Sequence, residues 1–167
     1  YNTEEWNGTN WTEVNDLNAY SINGAGSGTT TNSILTGGTI AGASPENQVT
    51  TQEWTSNNPV GAWATGGSAN TARRDLAGAG TQTAGLISGG QPPSSGAAIT
   101  ESYNGTNWTE VNDLNQARSG SAGSGTSTSA LSSGGYTTTY VAVTESWDGT
   151  NWTEVNDLNT GRAFYAG

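Results

Sequence analysis

Short segments that alternate apolar and polar residues run along this chain, separated by stretches rich in glycine, serine, threonine and asparagine. Residues 98–103 and 141–147 alternate in this way and end on an aromatic residue. Residues 84–88 form a compact apolar run that stops at a glycine pair. Side chains two positions apart share one face of a strand, so both patterns predict β-strands. No segment of useful length has helical spacing, and the pattern therefore predicts an all-β protein.

The segment Gly-Thr-Asn-Trp-Thr-Glu-Val-Asn-Asp-Leu-Asn occurs three times without a mismatch, at residues 8–18, 105–115 and 149–159. A degraded copy lies around Trp63. The threonines that open the alternating segments, Thr3, Thr51, Thr100 and Thr144, follow one another in steps of 48, 49 and 44 residues. A repeat of this length is one supersecondary unit that buries its faces against its neighbours.

Each unit contains the signals of four short strands. The first consists mainly of small residues (76–80), the second is the apolar run (84–88), the third alternates (98–103), and the fourth opens with tryptophan (108–111). Units of four strands at this period predict the blades of a β-propeller, here a section of one.

The third and fourth strands are separated by Asn-Gly or Asp-Gly, at residues 7–8, 104–105 and 148–149. These dipeptides favour a type I′ turn, which needs a positive φ at both central residues. The second unit has instead the longer segment 55–61 with Pro59, which we expect to bulge outward.

The units divide the chain into a partial blade at 1–18, blades at 19–70, 71–115 and 116–159, and a partial blade at 160–167 whose strand would span 162–167. At four strands a blade, this makes about 3.75 blades. Three arrangements remain open: a part of a larger ring, a ring completed by several chains, or a distorted four-bladed ring. Unpaired strand edges at the ends would favour self-association.

Tryptophan and a recurring arginine are predicted to fill the contacts between blades. One tryptophan can bury about 200 Å². Arg73 and Arg118 each precede a glycine pair by 16 residues, and the first unit has Ser21 at this position. The predicted inter-blade residues are Trp6, Trp11, Trp54, Trp63, Trp108, Trp147, Trp152, Arg73, Arg118 and Arg162.

These landmarks resemble the kelch repeat, in which a glycine pair ends the second strand and is followed by an aromatic residue, a tryptophan and often an arginine. Here the pattern is Gly134-Gly135, Trp147, Trp152 and Arg162. Segments 144–153 and 77–84 are also similar in style to repeat proteins of phages of marine bacteria. The two resemblances imply a kelch-like propeller and a structural or fibre-like role.

Charge and composition exclude several classes of function. The chain has 4 basic and 14 acidic residues, a net charge of -10, which argues against partners such as nucleic acid or anionic membranes. No apolar run is long enough for membrane insertion. With neither His nor Cys, the chain cannot form a Ser-His-Asp or Cys-His site or the copper site of galactose-oxidase-like enzymes. Sialidases need clustered arginines, and only four basic residues exist. We therefore expect no catalytic residues, no cofactor and no metal.

Recurring carboxylates are interpreted as structural. Glu110 and Asp113, and their counterparts in two other units, lack the spacing of a calcium loop, and carboxylates of different blades lie far apart. They are expected to occupy a solvated strand face and a loop cap.

Ligand contacts are expected on the loops that differ between units, because binding residues usually lie on variable loops held by a rigid scaffold. These loops are residues 39–47, 55–61, 91–96 and 136–140. The candidate contact residues are Tyr136, Tyr140, Pro92 and Pro93. Aromatic tips on a polar surface suit carbohydrate.

The sequence thus predicts a non-catalytic structural or binding propeller, in the leading hypothesis a phage virion appendage or decoration protein involved in host-surface attachment. Its expected partners are other copies of itself or the rest of a longer chain, other virion proteins and host-surface glycans. The expected location is the virion or the cell surface. The alternative is a secreted or cell-surface bacterial propeller for adhesion or carbohydrate binding.

Overall fold

The structure is a computed structural model that describes residues 2–6, 8–19, 21–40, 42, 47–56, 62–92 and 96–164, with the backbone alone at residues 62 and 63. These residues contain fourteen strands and no helix, which confirms the prediction of an all-β protein. The strands are β1 (Thr3–Trp6), β2 (Trp11–Val14), β3 (Ala25–Gly28), β4 (Asn32–Thr36), β5 (Thr51–Thr55), β6 (Ala62–Thr65), β7 (Ala77–Thr81), β8 (Ala84–Ser88), β9 (Thr100–Tyr103), β10 (Trp108–Val111), β11 (Ala122–Thr126), β12 (Ser129–Ser133), β13 (Thr144–Trp147) and β14 (Trp152–Val155).

The strands form one antiparallel hairpin and three antiparallel sheets of four strands, each sheet in simple chain order. We call β1–β2 the N-terminal hairpin, and the sheets β3–β6, β7–β10 and β11–β14 blades 1, 2 and 3. The meandering four-stranded blades form a section of a β-propeller, as the repeat length and the strand signals predict.

The first strands of the blades pack side by side, with β7 between β3 and β11. They are made of Gly, Ala, Ser and Thr because backbone meets backbone there. A Cβ atom on Gly123 would lie 2.5 Å from the carbonyl oxygen of Gly78. This close approach explains why the sequence has no bulky residue in these strands.

A belt of backbone hydrogen bonds crosses the blades just before these inner strands. The amide of Asp75 donates to Asn23 (2.9 Å), that of Gly120 to Asp75 (2.7 Å), and that of Phe164 to Gly120 (2.8 Å). All four residues have a positive φ, between 56° and 65°. The left-handed conformation thus recurs at the same place in every unit.

Apolar cores lie between the blades. Tyr103 and Trp108 of blade 2 pack against Ala25 and Ile34 of blade 1, and Trp147 and Trp152 of blade 3 pack in the same way against blade 2. The fourth-strand tryptophans of blades 2 and 3 also reach the preceding blade with their indole nitrogens. Trp108 Nε1 donates to Thr51 Oγ1 (2.9 Å) and Trp152 Nε1 to Thr100 Oγ1 (3.0 Å).

A buried carboxylate attaches each later blade to the connection that precedes it. In blade 2, Glu101 Oε2 accepts from the amide and the side chain of Asn70 (2.7 and 2.9 Å). Its Oε1 accepts from Arg73 Nη1 at 2.5 Å, and both side chains are fully buried. We call residues 70–73, and the equivalent residues 115–118 and 159–162, the carboxylate receptors.

Blade 3 repeats this arrangement with Glu145 in the 115–118 receptor. The amide and side chain of Asn115 donate to Glu145 Oε2 (2.7 and 2.8 Å), and Arg118 pairs with Oε1. Burial alone would raise the pKa of Glu145. The hydrogen bonds from Arg118 and Asn115 outweigh it and hold that pKa below its ordinary value.

Blade 1 replaces the ion pair by neutral side chains. Gln52 occupies the position of Glu101, and its amide group exchanges two hydrogen bonds with the backbone of Ala19 (3.2 and 2.9 Å). Ser21 occupies the position of Arg73 and donates to the carbonyl of Gly37 (2.7 Å). Because the acid and the base are both replaced by neutral residues, neither position is left with a buried charge that lacks its partner.

The prediction of type I′ turns is wrong for the two described copies. The β9–β10 loop has four residues between the paired Tyr103 and Trp108, and only its glycine has a positive φ. Asn104 Oδ1 accepts from the amides of Thr106 and Asn107 (3.0 and 2.9 Å), so a side-chain cap replaces the tighter turn. Asp148 caps the β13–β14 loop likewise, and backbone hydrogen bonds lower its pKa.

Three predicted inter-blade residues lie exposed: Trp6, Trp11 and Arg162. Their counterparts in blades 2 and 3 are buried by a neighbouring blade, which none of the described residues supplies to these three. The predicted strand at 162–167 does not form over residues 162–164, where the chain bends. The rest of it, the side chain of Trp63, and Asn7 and Pro59 lie outside the described part.

Candidate functional site

Two tyrosines lie together on the loop between β12 and β13. Tyr136 exchanges backbone hydrogen bonds with Ser119 (2.7 and 3.0 Å), which attaches the loop to the start of blade 3. The rings of Tyr136 and Tyr140 meet edge to face with centroids 5.7 Å apart. Tyr140 is 62% exposed, so this pair presents aromatic surface to solvent from a fixed backbone.

These tyrosines line an open cleft of about 560 Å³. Its lining consists of aromatic rings, hydroxyls, one amide and glycine backbone: Gln91, Gly96, Ser119, Tyr136, Thr137, Tyr140 and Phe164. We call it the aromatic cleft. Residues from blades 2 and 3 and from the segment after blade 3 contribute, so the cleft depends on how the blades are packed.

Phe164 is the third aromatic side chain of the cleft. Its φ is 57°, although bulky residues rarely adopt the left-handed conformation. The belt holds it there, and its ring covers Gly120, where a Cβ atom would lie 2.7 Å from the ring. It nevertheless remains 62% exposed. Strained residues of this kind concentrate at functional sites.

Sequence reasoning missed Phe164 because it was read as part of a strand. Aligning the units shows that Phe164 is unusual at its position. The equivalent residues are Asn23, Asp75 and Gly120, all types that tolerate a positive φ, and Phe164 is the exception.

A polar network fixes the Gln91 side of the cleft. Arg74 donates to Gln91 Oε1 (3.1 Å) and to Asn47 Oδ1 (3.2 Å), and Asn47 donates to the carbonyl of Gln91 (2.9 Å). Arg74 also pairs with Asp75 (3.4 Å). Burial raises the pKa of Asp75 despite this neighbouring cation. The side-chain oxygen and the backbone carbonyl of Gln91 are therefore both held in place by this network.

The other sequence candidates lie elsewhere. Pro92 is half-buried beside Gln91 and is not among the residues that line the cleft, and Pro93 lies outside the described residues. Arg73 and Arg118 are buried in their receptors. Asp113 and Asp157 accept from the amides of Thr100 and Thr144 (3.2 and 3.3 Å).

A second cavity, of about 270 Å³, lies between the N-terminal hairpin and blade 1. Trp6, Trp11 and Trp54 contribute its aromatic wall.

Within the described residues, no group of three or more acidic side chains is placed to hold a metal ion. The same residues contain no helix that could cross a membrane.

The comparisons with known proteins support the fold alone. No family model matches the chain, and no curated protein does. The solved structure of YjhT is similar with a TM-score of 0.69 at 13% sequence identity, over 87% of this chain. The chain spans about half of YjhT, 49% of its length. Since one fold supports many functions, this likeness does not assign a function to the chain.

Proposed function

We propose that this chain is a non-catalytic binding module that uses the aromatic cleft to bind carbohydrate on a host surface. The observation that carries the proposal is the grouping of Tyr136, Tyr140 and Phe164 around one open cleft on a fixed backbone. Rings exposed in this way stack on the apolar faces of sugars, whereas isolated exposed aromatics are ordinary on protein surfaces.

The polar groups of the cleft complement the rings. Gln91 offers an amide held by Arg74, and Ser119 and Thr137 offer hydroxyls beside the tyrosines. A few fixed polar groups among aromatic side chains are the usual composition of a small-ligand site. The net charge of -10 favours neutral or cationic glycans over polyanionic ones.

We further propose that the module belongs to a phage virion appendage or decoration protein, in which attachment to the host is the binding event. The kelch-like landmarks and the phage-like style of the repeats support this role. A secreted bacterial adhesion propeller would use the same cleft. The neighbours of the gene separate the two: capsid or tail genes favour the virion, secretion genes the adhesin.

Binding to an array of bacterial surface glycans, followed by calorimetry on the glycans retained, tests the proposal. Tyr140→Ala should weaken binding by about tenfold or more, as loss of an exposed aromatic anchor does. Tyr140→Phe should keep most of the affinity, because the ring remains. Leu131→Ala is the matched control, an exposed apolar residue of blade 3 outside the cleft.

Equal binding by the wild type and Tyr140→Ala would overturn the role of the cleft. Release of sugar from a bound glycan by the purified protein would overturn the non-catalytic assignment.

A further inference from the structure

We propose that the aromatic cleft selects sugars that carry an acetyl group, and that Gln91 determines this specificity. The inference rests on the proposed binding of carbohydrate and names the substituent that the cleft recognises. It follows from three observations: the atom that Gln91 can offer to a ligand, the uncharged character of the described lining, and the ring of Tyr136 in the same cleft.

Gln91 and Tyr136 occupy equivalent positions in two successive blades. Each pairs through an isolated bridge with the segment that precedes its own blade, Gln91 with Arg74 and Tyr136 with Ser119. Two backbone hydrogen bonds of 2.7 and 3.1 Å hold Gln91 to Arg74. One backbone position thus carries an amide in blade 2 and an aromatic ring in blade 3, and both side chains line the cleft.

Arg74 determines the orientation of the Gln91 side-chain amide. A guanidinium group only donates hydrogen bonds, so an amide that it contacts turns its oxygen toward it. Arg74 Nη2 donates to Gln91 Oε1 (3.1 Å), and Nη1 donates to Asn47 Oδ1 (3.2 Å). Asn47 is 3% exposed, and its amide nitrogen donates to the backbone carbonyl of Gln91 (2.9 Å). Both amides therefore have one orientation that satisfies the network.

This network leaves Nε2 as the polar atom that Gln91 can offer to a ligand. Oε1 accepts from the Arg74 side chain, and the backbone carbonyl of Gln91 accepts from Asn47 and from the amide of Arg74. The backbone amide of Gln91 donates to the carbonyl of Arg74. Nε2 takes no part in the network and carries two N–H groups, which can only donate. We therefore expect the ligand atom that meets this side chain to be a hydrogen-bond acceptor.

The charges around the cleft disfavour an anionic acceptor. None of the described lining residues has a charged side chain. Arg74 is not among them, and its charge is paired with Asp75 at 3.4 Å. A carboxylate, phosphate or sulfate group would lose water in the cleft without gaining a cation, and the net charge of -10 would repel it. The acceptor is therefore an uncharged oxygen.

An acetyl group on a sugar combines such an oxygen with an apolar surface. Its carbonyl oxygen only accepts hydrogen bonds, and its methyl group can pack on an aromatic ring. The paired rings of Tyr136 and Tyr140, with centroids 5.7 Å apart, supply this surface in the same cleft as Gln91. A plain hydroxyl group can also accept from Nε2, but it makes no methyl contact with the rings. The volume of about 560 Å³ is in the range of small-ligand sites.

Chitotetraose and cellotetraose test the proposal, because they share a backbone and a linkage and differ in one substituent, acetamido or hydroxyl, on each ring. Titration calorimetry should show that the wild type binds chitotetraose about tenfold or more tightly, as expected for one added hydrogen bond and one added methyl contact. Cellotetraose with acetyl esters at the same positions should bind like chitotetraose, because it offers the same carbonyl and methyl groups.

Gln91→Glu removes the donor and keeps the oxygen that Arg74 contacts. A carboxylate oxygen would then face the acetyl carbonyl, so the affinity for chitotetraose should fall about tenfold or more. Cellotetraose should lose less, because its hydroxyl groups can donate to a carboxylate. Asn156→Asp is the matched control, since it makes the same change from amide to carboxylate at an exposed residue outside the cleft lining, and both affinities should stay unchanged. An unaltered Tm shows that each variant is folded.

Equal affinity of the wild type for chitotetraose and cellotetraose would overturn this inference. So would a preference for chitotetraose that Gln91→Glu leaves unchanged, or acetyl esters that bind no better than unmodified cellotetraose. In these cases the binding of carbohydrate would stand, because a sugar is still bound. Retention on the array of glycans without acetyl groups alone would likewise overturn only the inference. Failure to bind either oligosaccharide and every glycan of the array would overturn the proposed function together with it.

Discussion

At the scale of single residues, the buried pairs between blades depend on both partners. Arg118 donates a hydrogen bond to Glu145, and both side chains are fully buried. Removing one member leaves the other charge without a partner in an interior where water cannot take the place of the missing side chain. Removing both members at once avoids this penalty, as Ser21 and Gln52 already do in blade 1.

We predict that Arg118→Ser and Glu145→Gln each lower the free energy of unfolding by about 3–5 kcal/mol, and that the double variant loses much less than their sum. Urea denaturation of the wild type, the two single variants and the double variant provides the four free energies of unfolding of this double-mutant cycle. Glu154→Gln, which removes an exposed carboxylate from the neighbouring strand, should change the free energy of unfolding by at most about 0.5 kcal/mol. Additive losses would show that the two side chains act separately.

Tyr103 gives a prediction at alkaline pH. Burial, together with the hydrogen bond to Glu53 (2.5 Å), raises the pKa of Tyr103 to about 12. The folded state thus favours the neutral phenol. Its contribution to stability is complete below the ordinary tyrosine pKa of about 10 and is lost as the pH rises through the folded value. A titration followed by phenolate absorbance should show a late step that Tyr103→Phe removes, and an unchanged titration would contradict this assignment.

At the scale of strands and loops, sequence patterns located the strands better than the turns. The glycine pairs and the alternation before Tyr103 and Trp147 marked strand ends to within a residue or two. The turn type was missed because Asn104 and Asp148 cap the loop with their side chains, a choice that the dipeptide does not reveal. The position of Phe164 in the belt was missed because it depends on a neighbouring blade.

The inner strands offer a test of close packing. Gly123→Ala would place a methyl group 2.5 Å from the Gly78 carbonyl, so β11 and β7 would have to separate. We expect a loss of about 1–3 kcal/mol in the free energy of unfolding. Gly26→Ala is the matched control, since its Cβ would lie 3.6 Å from the nearest atom, the Ile34 carbonyl oxygen. Urea denaturation measures both losses. Equal losses for the two variants would show that strand propensity, rather than close packing, determines the change in the free energy of unfolding.

At the scale of the whole molecule, three blades and a hairpin stand beside one another with an excess of negative charge. The fold class followed from the repeats, because a repeating unit of this length is one supersecondary unit that buries its faces against its neighbours. The aromatic cleft could be predicted only in part from the sequence. Tyr136 and Tyr140 were expected on their variable loop, but the sequence could not show that Gln91 and Phe164 come from other segments to meet them.

The net charge of -10 predicts that salt stabilises the protein. Moderate salt shortens the range of repulsion between exposed carboxylates, from about 30 Å at 0.01 M to about 10 Å at 0.1 M. The buried pairs are shielded from this effect. Tm should therefore rise with sodium chloride when thermal unfolding is followed at neutral pH. A fall in Tm would mean that attractive surface pairs outweigh the repulsion.

Near-identical repeats are liable to pair with the wrong neighbour while the chain folds. The neutral pair Ser21–Gln52 guards against one such error. If blade 2 skipped blade 1 and met the hairpin, Glu101 would be buried against Ser21 without a cation, and the misplaced contact would be unstable. The neutral pair therefore distinguishes the first interface of the chain from the two interfaces that contain an Arg–Glu pair.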